Sequence, residues 1–62
     1  MREYEFVSIA VQRRRDGSAL AEDYRPVIRD RATRGWEFVQ AIPLTDHAEP
    51  RIDLVFTRKV SE

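Results

Sequence analysis

The segment Tyr4–Val11 (YEFVSIAV) reads as a β-strand, rich in β-branched and aromatic residues with no Gly or Pro inside it. Side chains alternate along a strand, so Glu5, Val7, Ile9 and Val11 fall on one face and Tyr4, Phe6, Ser8 and Ala10 on the other. Both faces are largely apolar. In a two-layer domain a single helix covers one of them, and the other needs a second cover. The rest of the chain has little to offer for that purpose. At 62 residues it is long enough for one domain, taken as residues 1–62. A chain this short hides only about 60% of its unfolded surface on folding. Hydrophobic residues make up 42% of it, too many for a disordered chain and enough for one core. There is no cysteine, so neither disulfides nor a thiolate metal site can add stability. Self-association is the common remedy that remains.

Beyond the first strand, Gln12–Ser18 (QRRRDGS) reads as a polar connection with Asp16-Gly17 as a turn signal, and residues 19–22 as a loop or kinked turn. A helix is predicted over Tyr24–Arg34, with Tyr24, Val27, Ile28, Arg31 and Ala32 on its apolar stripe. With Asp23 as N-cap, Pro26 becomes the third helical residue, where its missing N–H has no intrahelical acceptor to lose. Gly35 suits a left-handed position just past the helix end. Trp36–Leu44 reads as a second strand, with Trp36, Phe38, Gln40, Ile42 and Leu44 alternating with Glu37, Val39, Ala41 and Pro43. Pro43 cannot donate to a ladder and places that strand at an edge. After a loop at Thr45–Pro50, Arg51–Val60 forms a third strand whose lack of internal Pro and Gly favours a central position. The expected fold is α+β: a β-α-β-β two-layer domain, with a three-stranded, mainly antiparallel sheet and one helix on one face. The last strand lies between the other two in the preferred order; a right-handed crossover placing the first beside the second also fits.

Eleven basic and eleven acidic residues cancel, so no strong overall field draws the chain to nucleic acid or anionic lipid. The charge is uneven, however. Residues 12–34 hold seven Arg against Asp16, Glu22, Asp23 and Asp30, a balance of +3. No apolar run approaches the length of a membrane span, and the N-terminus lacks the apolar stretch of a signal peptide. A cytoplasmic protein with no membrane partner is expected.

Catalytic signals are sparse. His47 is the one imidazole, flanked by Asp46 and Glu49 in a loop, and such a cluster lacks the ordered ligand spacing a metal needs. The hydroxyls (Ser8, Ser18, Ser61, Thr33, Thr45, Thr57) sit in no nucleophile elbow, and two glycines cannot build a phosphate-cradling loop. Glu5 and Glu37 would meet only if their strands paired. The chain is therefore read as having no catalytic residue, metal or cofactor. Candidate interface residues are Tyr4, Phe6, Val7, Ile9, Val39, Ala41 and Val55, the last three placed opposite the helix side. Arg13, Arg14, Arg15, Arg25 and Arg29 are candidate anion ligands, with Arg25 and Arg29 on one helical face. Trp36 and Glu37 are candidates for a pocket at a subunit seam.

The opening Tyr4-Glu5-Phe6-Val7, the helix, the stretch Gly35-Trp36-Glu37-Phe38-Val39 and the ending Phe56-Thr57-Arg58-Lys59 together resemble one pattern. It is similar to that of the small bacterial proteins grouped as domain-of-unknown-function family 4177, and the similarity covers nearly the whole chain. The resemblance supports the architecture and implies no catalytic residue. The expected function is a non-catalytic homo-oligomerising module acting through protein–protein contacts, a homodimer by default because two-fold contacts are the commonest closed symmetry. Two alternatives stand beside it: an accessory protein binding anions or nucleic acid through the Arg-rich segment, although zero net charge speaks against nucleic acid, and a small-molecule binder at a subunit seam.

Overall fold

A computed structural model describes residues 1–46 and 48–60. Its elements run β1 (Arg2–Arg14), β2 (Gly17–Leu20), α1 (Tyr24–Thr33), β3 (Glu37–Leu44) and β4 (Arg51–Lys59). All pairings are antiparallel, in the order β2-β1-β4-β3. The expected three-stranded, two-layer domain is thereby corrected. Four strands hold 58% of the described residues and curl into a half-barrel, with one short helix. The additional strand comes from the Arg-rich segment read as a connection. β1 runs on to Arg14, turns through Arg15 and Asp16, and returns as β2 with Arg14 opposite Gly17. Gly17, at φ 136°, takes a backbone conformation that side chains disfavour. Ala19 and Leu20, expected in a loop, are the end of this strand.

The helix follows its local signals. The Asp23 carboxylate accepts a hydrogen bond from the Arg25 N–H at 3.0 Å, which caps the first turn and leaves Pro26 third in the helix. At the other end the Gly35 N–H donates to Ala32 O (3.1 Å) and the Trp36 N–H to Arg31 O (3.0 Å). That pair of bonds is a Schellman motif, and it requires Gly35 at φ 85°. Val27 and Ile28 face inward, onto a core of Ile9, Leu54 and Phe56. Val7, Leu20, Trp36 and Ile52 pack around the same cluster.

The uninterrupted β4 is central, between β1 and β3, while Pro43 sits on the edge strand β3. Residues directly opposite in an antiparallel ladder share a face, so the register defines both surfaces. Glu5–Phe56–Phe38 and Val7–Leu54–Ala41 are rows of the inner face, toward the helix. Tyr4–Thr57–Glu37, Phe6–Val55–Gln40 and Ser8–Asp53–Ile42 are rows of the outer face. The expected alternation of β3 fails because Val39 is an extra residue between Phe38 and Gln40. A bulge of one residue exchanges the faces beyond it. Phe38 and Ala41 thus point inward together, while Gln40 and Ile42 point outward. Phe38 meets Phe56 edge to face, with ring centroids 5.8 Å apart.

No helix among the described residues is long and apolar enough to cross a membrane.

Candidate functional site

Three regions carry the residues singled out by the sequence: the outer sheet face, the inner face under the helix, and the Arg-rich hairpin. On the outer face Phe6 is 64% exposed and Tyr4 57% exposed, where β1 is bonded to β4 on one side only. They flank Val55, which is only 6% exposed, and Ile42 extends the apolar area on β3. Polar groups bound this island at both ends. Toward one end Arg2 Nε donates to Thr57 Oγ1 (3.1 Å) and Arg2 Nη2 reaches Glu37 Oε2 (3.4 Å). Toward the other, Ser8 Oγ donates to Asp53 Oδ1 (2.6 Å), which also accepts from Arg51 Nε (3.3 Å). An apolar centre with a polar, self-neutralised rim is the layout of protein interfaces.

Of the seven interface candidates, Tyr4, Phe6 and Val55 come together on this face. Val7, Ile9 and Ala41 do not: they belong to the inner face, and Ile9 is 1% exposed within its own chain. Val39 is the bulged residue and has no direct partner on β4. Ile42 was missed because its face depends on the bulge, for which Gly35–Leu44 carries no local signal such as an internal glycine.

The inner face holds a partly open cavity of about 250 Å³ between β3, β4, β1 and the start of the helix. Ile9, Leu20, Ile28, Ala41, Ile52 and Leu54 line it, with Tyr24 and Phe38 completing the wall. No carboxylate, guanidinium or imidazole belongs to that lining, and Tyr24 is its one titratable residue. Farther along the same face the charged residues close on one another. The Glu5 carboxylate accepts from Arg31 Nε at 2.7 Å, and Arg31 Nη1 donates to Asp30 Oδ2 at 2.7 Å. The hydrogen bond it donates to Glu5 pushes the Arg31 guanidinium above arginine's ordinary value, against an opposing desolvation cost. A cation so raised contributes its stabilisation everywhere below its unfolded value and loses it only above the folded one, in strong alkali. Arg58 pairs with Glu3, donates to Arg34 O (3.3 Å) and stacks 4.2 Å above the Trp36 ring. Together these contacts fix the helix's C-terminal end to the sheet.

Glu5 and Glu37 are not brought together. Glu5 lies inward on β1 and Glu37 outward on β3. Trp36 and Glu37 likewise diverge, one beneath Arg58 and the other beside Arg2. No group of three or more His, Cys, Asp or Glu side chains among the described residues could hold a metal ion. His47 and Ser61 lie outside the described residues.

The five anion-ligand candidates fall into two places. Arg25 and Arg29 are on the helix, where Arg25 lies 3.4 Å from Asp23 and 5.7 Å from the Tyr24 ring centre. Arg13, Arg14 and Arg15 crowd the end of the β1–β2 hairpin instead of edging a crossover. Arg14 bonds Gln12 at 3.4 Å; neither Arg13 nor Arg15 has an ion pair among the described residues.

A family model described as a domain of unknown function (DUF4177) matches residues 3–59. No curated protein and no solved structure matches the chain.

Proposed function

Because the chain belongs to the DUF4177 family, whose description carries no activity to transfer, we propose its role from its surfaces: a non-catalytic module that pairs with a second copy through the outer sheet face. The observation that carries this reading is the exposure of Tyr4 and Phe6 beside Val55 on one face of the sheet, along the stretch where β1 is bonded to β4 alone. Two measures of shape describe an extended molecule, to which the projecting β1–β2 hairpin contributes. The radius of gyration is 13.5 Å, against about 10.6 Å for a compact domain of this length. The accessible surface is 4981 Å², roughly 800 Å² more than a folded monomer of this mass ordinarily exposes. A second copy stacked on the face would bring Tyr4, Phe6, Val55 and Ile42 against their equivalents at a sheet spacing of about 10 Å. The rim pairs Arg2–Glu37 and Asp53–Arg51 are already neutralised within each copy, so closing the face strands no unpaired charge there.

Light scattering during size-exclusion chromatography, run on the parent and on Phe6→Glu, tests the reading. The parent should elute at twice 7.3 kDa and the variant at 7.3 kDa, still folded by circular dichroism. A parent that stays monomeric at micromolar concentration, or a variant that stays dimeric, overturns it.

A further inference from the structure

We propose that the β1–β2 hairpin is a basic ribbon that binds duplex nucleic acid by entering a groove and contacting phosphates on both of its walls. β1 is paired with β4 only as far as Ala10. Its last four residues, Val11–Arg14, are paired with β2 alone, in the register Val11↔Leu20 to Arg14↔Gly17. Thirteen residues of strand extend about 43 Å, which accounts for most of the molecule's 49 Å long axis. The hairpin is therefore the projecting end of the body, and residues 12–18 are all exposed.

What the ribbon carries is polar and cationic throughout. Gln12 and Arg14 fall on the outer face, Arg13 and Ser18 on the inner face, and Arg15 in the turn between the strands. Three guanidinium groups stand against the single carboxylate of Asp16, in a chain whose charges sum to zero as a whole. Arg13 and Arg15 are spent on no ion pair among the described residues, whereas Arg31, Arg34, Arg51 and Arg58 are all held by carboxylates. Guanidinium, amide and hydroxyl groups are the donors that phosphate oxygens accept from.

The placement of those donors selects the partner. A flat anionic surface would engage one face of a ribbon and leave the other in water. Here a cation stands on each face and at the tip, which fits a slot with negative walls on both sides. The major groove, about 12 Å wide, admits a two-stranded ribbon. Single strands are held by aromatic platforms, and the ribbon has no aromatic residue. The inference is independent of the oligomeric state, since one hairpin forms one ribbon.

Fluorescence anisotropy on a labelled duplex of about 20 bp, at about 20 mM salt, tests it. The parent should bind, with log K falling against log salt at a slope of about −2.7 for each ribbon engaged, corresponding to three phosphates. The triple variant R13Q/R14Q/R15Q should lose at least about tenfold in affinity, and R25Q/R29Q should bind like the parent. Arg15→Glu, confined to the exposed turn, provides a check free of strand effects and should also weaken binding. Failure of the parent to bind the duplex overturns the proposal. So does undiminished binding by the triple variant or by Arg15→Glu, or tighter binding to single strands or to phosphatidylserine vesicles than to the duplex.

Discussion

Phe56 has no exposed surface and sits where three parts of the molecule meet: opposite Glu5 on β1, opposite Phe38 on β3, and beneath the helix. Few other side chains are buried as deeply, so much of the core's stabilisation passes through this ring. Replacing a buried Phe by Ala costs about 3–5 kcal/mol, and a domain of this length has only about 3–9 kcal/mol in total. Phe56→Ala should therefore lose its cooperative thermal transition or melt tens of degrees lower, read by far-ultraviolet circular dichroism. A variant melting within a few degrees of the parent would mean that the ring is not the centre of the core. The buried Thr57 beside it is of another kind. Its hydroxyl donates to Glu3 O at 3.0 Å and accepts from Arg2, so its burial leaves no polar atom unsatisfied.

Among the elements, β3 shows most clearly how one residue decides what a strand presents. Without Val39 as an extra residue, Phe38 could not face the helix side while Ile42 faces out. Removing Val39 brings Phe38 and Gln40 into direct succession, already opposite the successive residues Phe56 and Val55. Deletion of Val39 should therefore leave a folded protein whose cross-strand nuclear Overhauser contacts still join Phe38 to Phe56 and Ala41 to Leu54. Loss of either contact would show that the bulge maintains the register beyond taking up the extra residue. The helix is simpler. Asp23 at one end and Gly35 at the other satisfy its terminal groups within a few residues of chain, and these signals were legible in sequence.

For the whole molecule, thinness is the governing fact. Its shortest extent is 13 Å, little more than the separation of two packed layers. The helix covers part of the inner face, and no other element among the described residues covers Tyr4 and Phe6 on the outer one. If a second copy completes the fold, stability is linked to association and grows with concentration. The urea midpoint should then rise as the protein is taken from about 1 μM to about 100 μM, by the urea concentration that offsets about 2.7 kcal/mol per dimer for that hundredfold, in a dimer that unfolds to monomers. A midpoint independent of concentration would mean that each copy is stable alone, with its outer face in water.

The sequence by itself determined the helix with both its caps, the three principal strands and the edge position of Pro43. It also exposed the two-sided apolarity of Tyr4–Val11, while the central position of the last strand was a preference that pairing between strands decided. These features rest on alternation and on hydrogen bonds within a few residues, so adjacent letters suffice to specify them. Only the tertiary structure decided that QRRRDGS turns back as a strand, that Val39 bulges, and that Val7, Ile9 and Ala41 face inward while Ile42 faces out. Those outcomes depend on pairing between distant segments and on the curl of the whole sheet: a strand acquires its register, and hence its faces, from the neighbour it is bonded to.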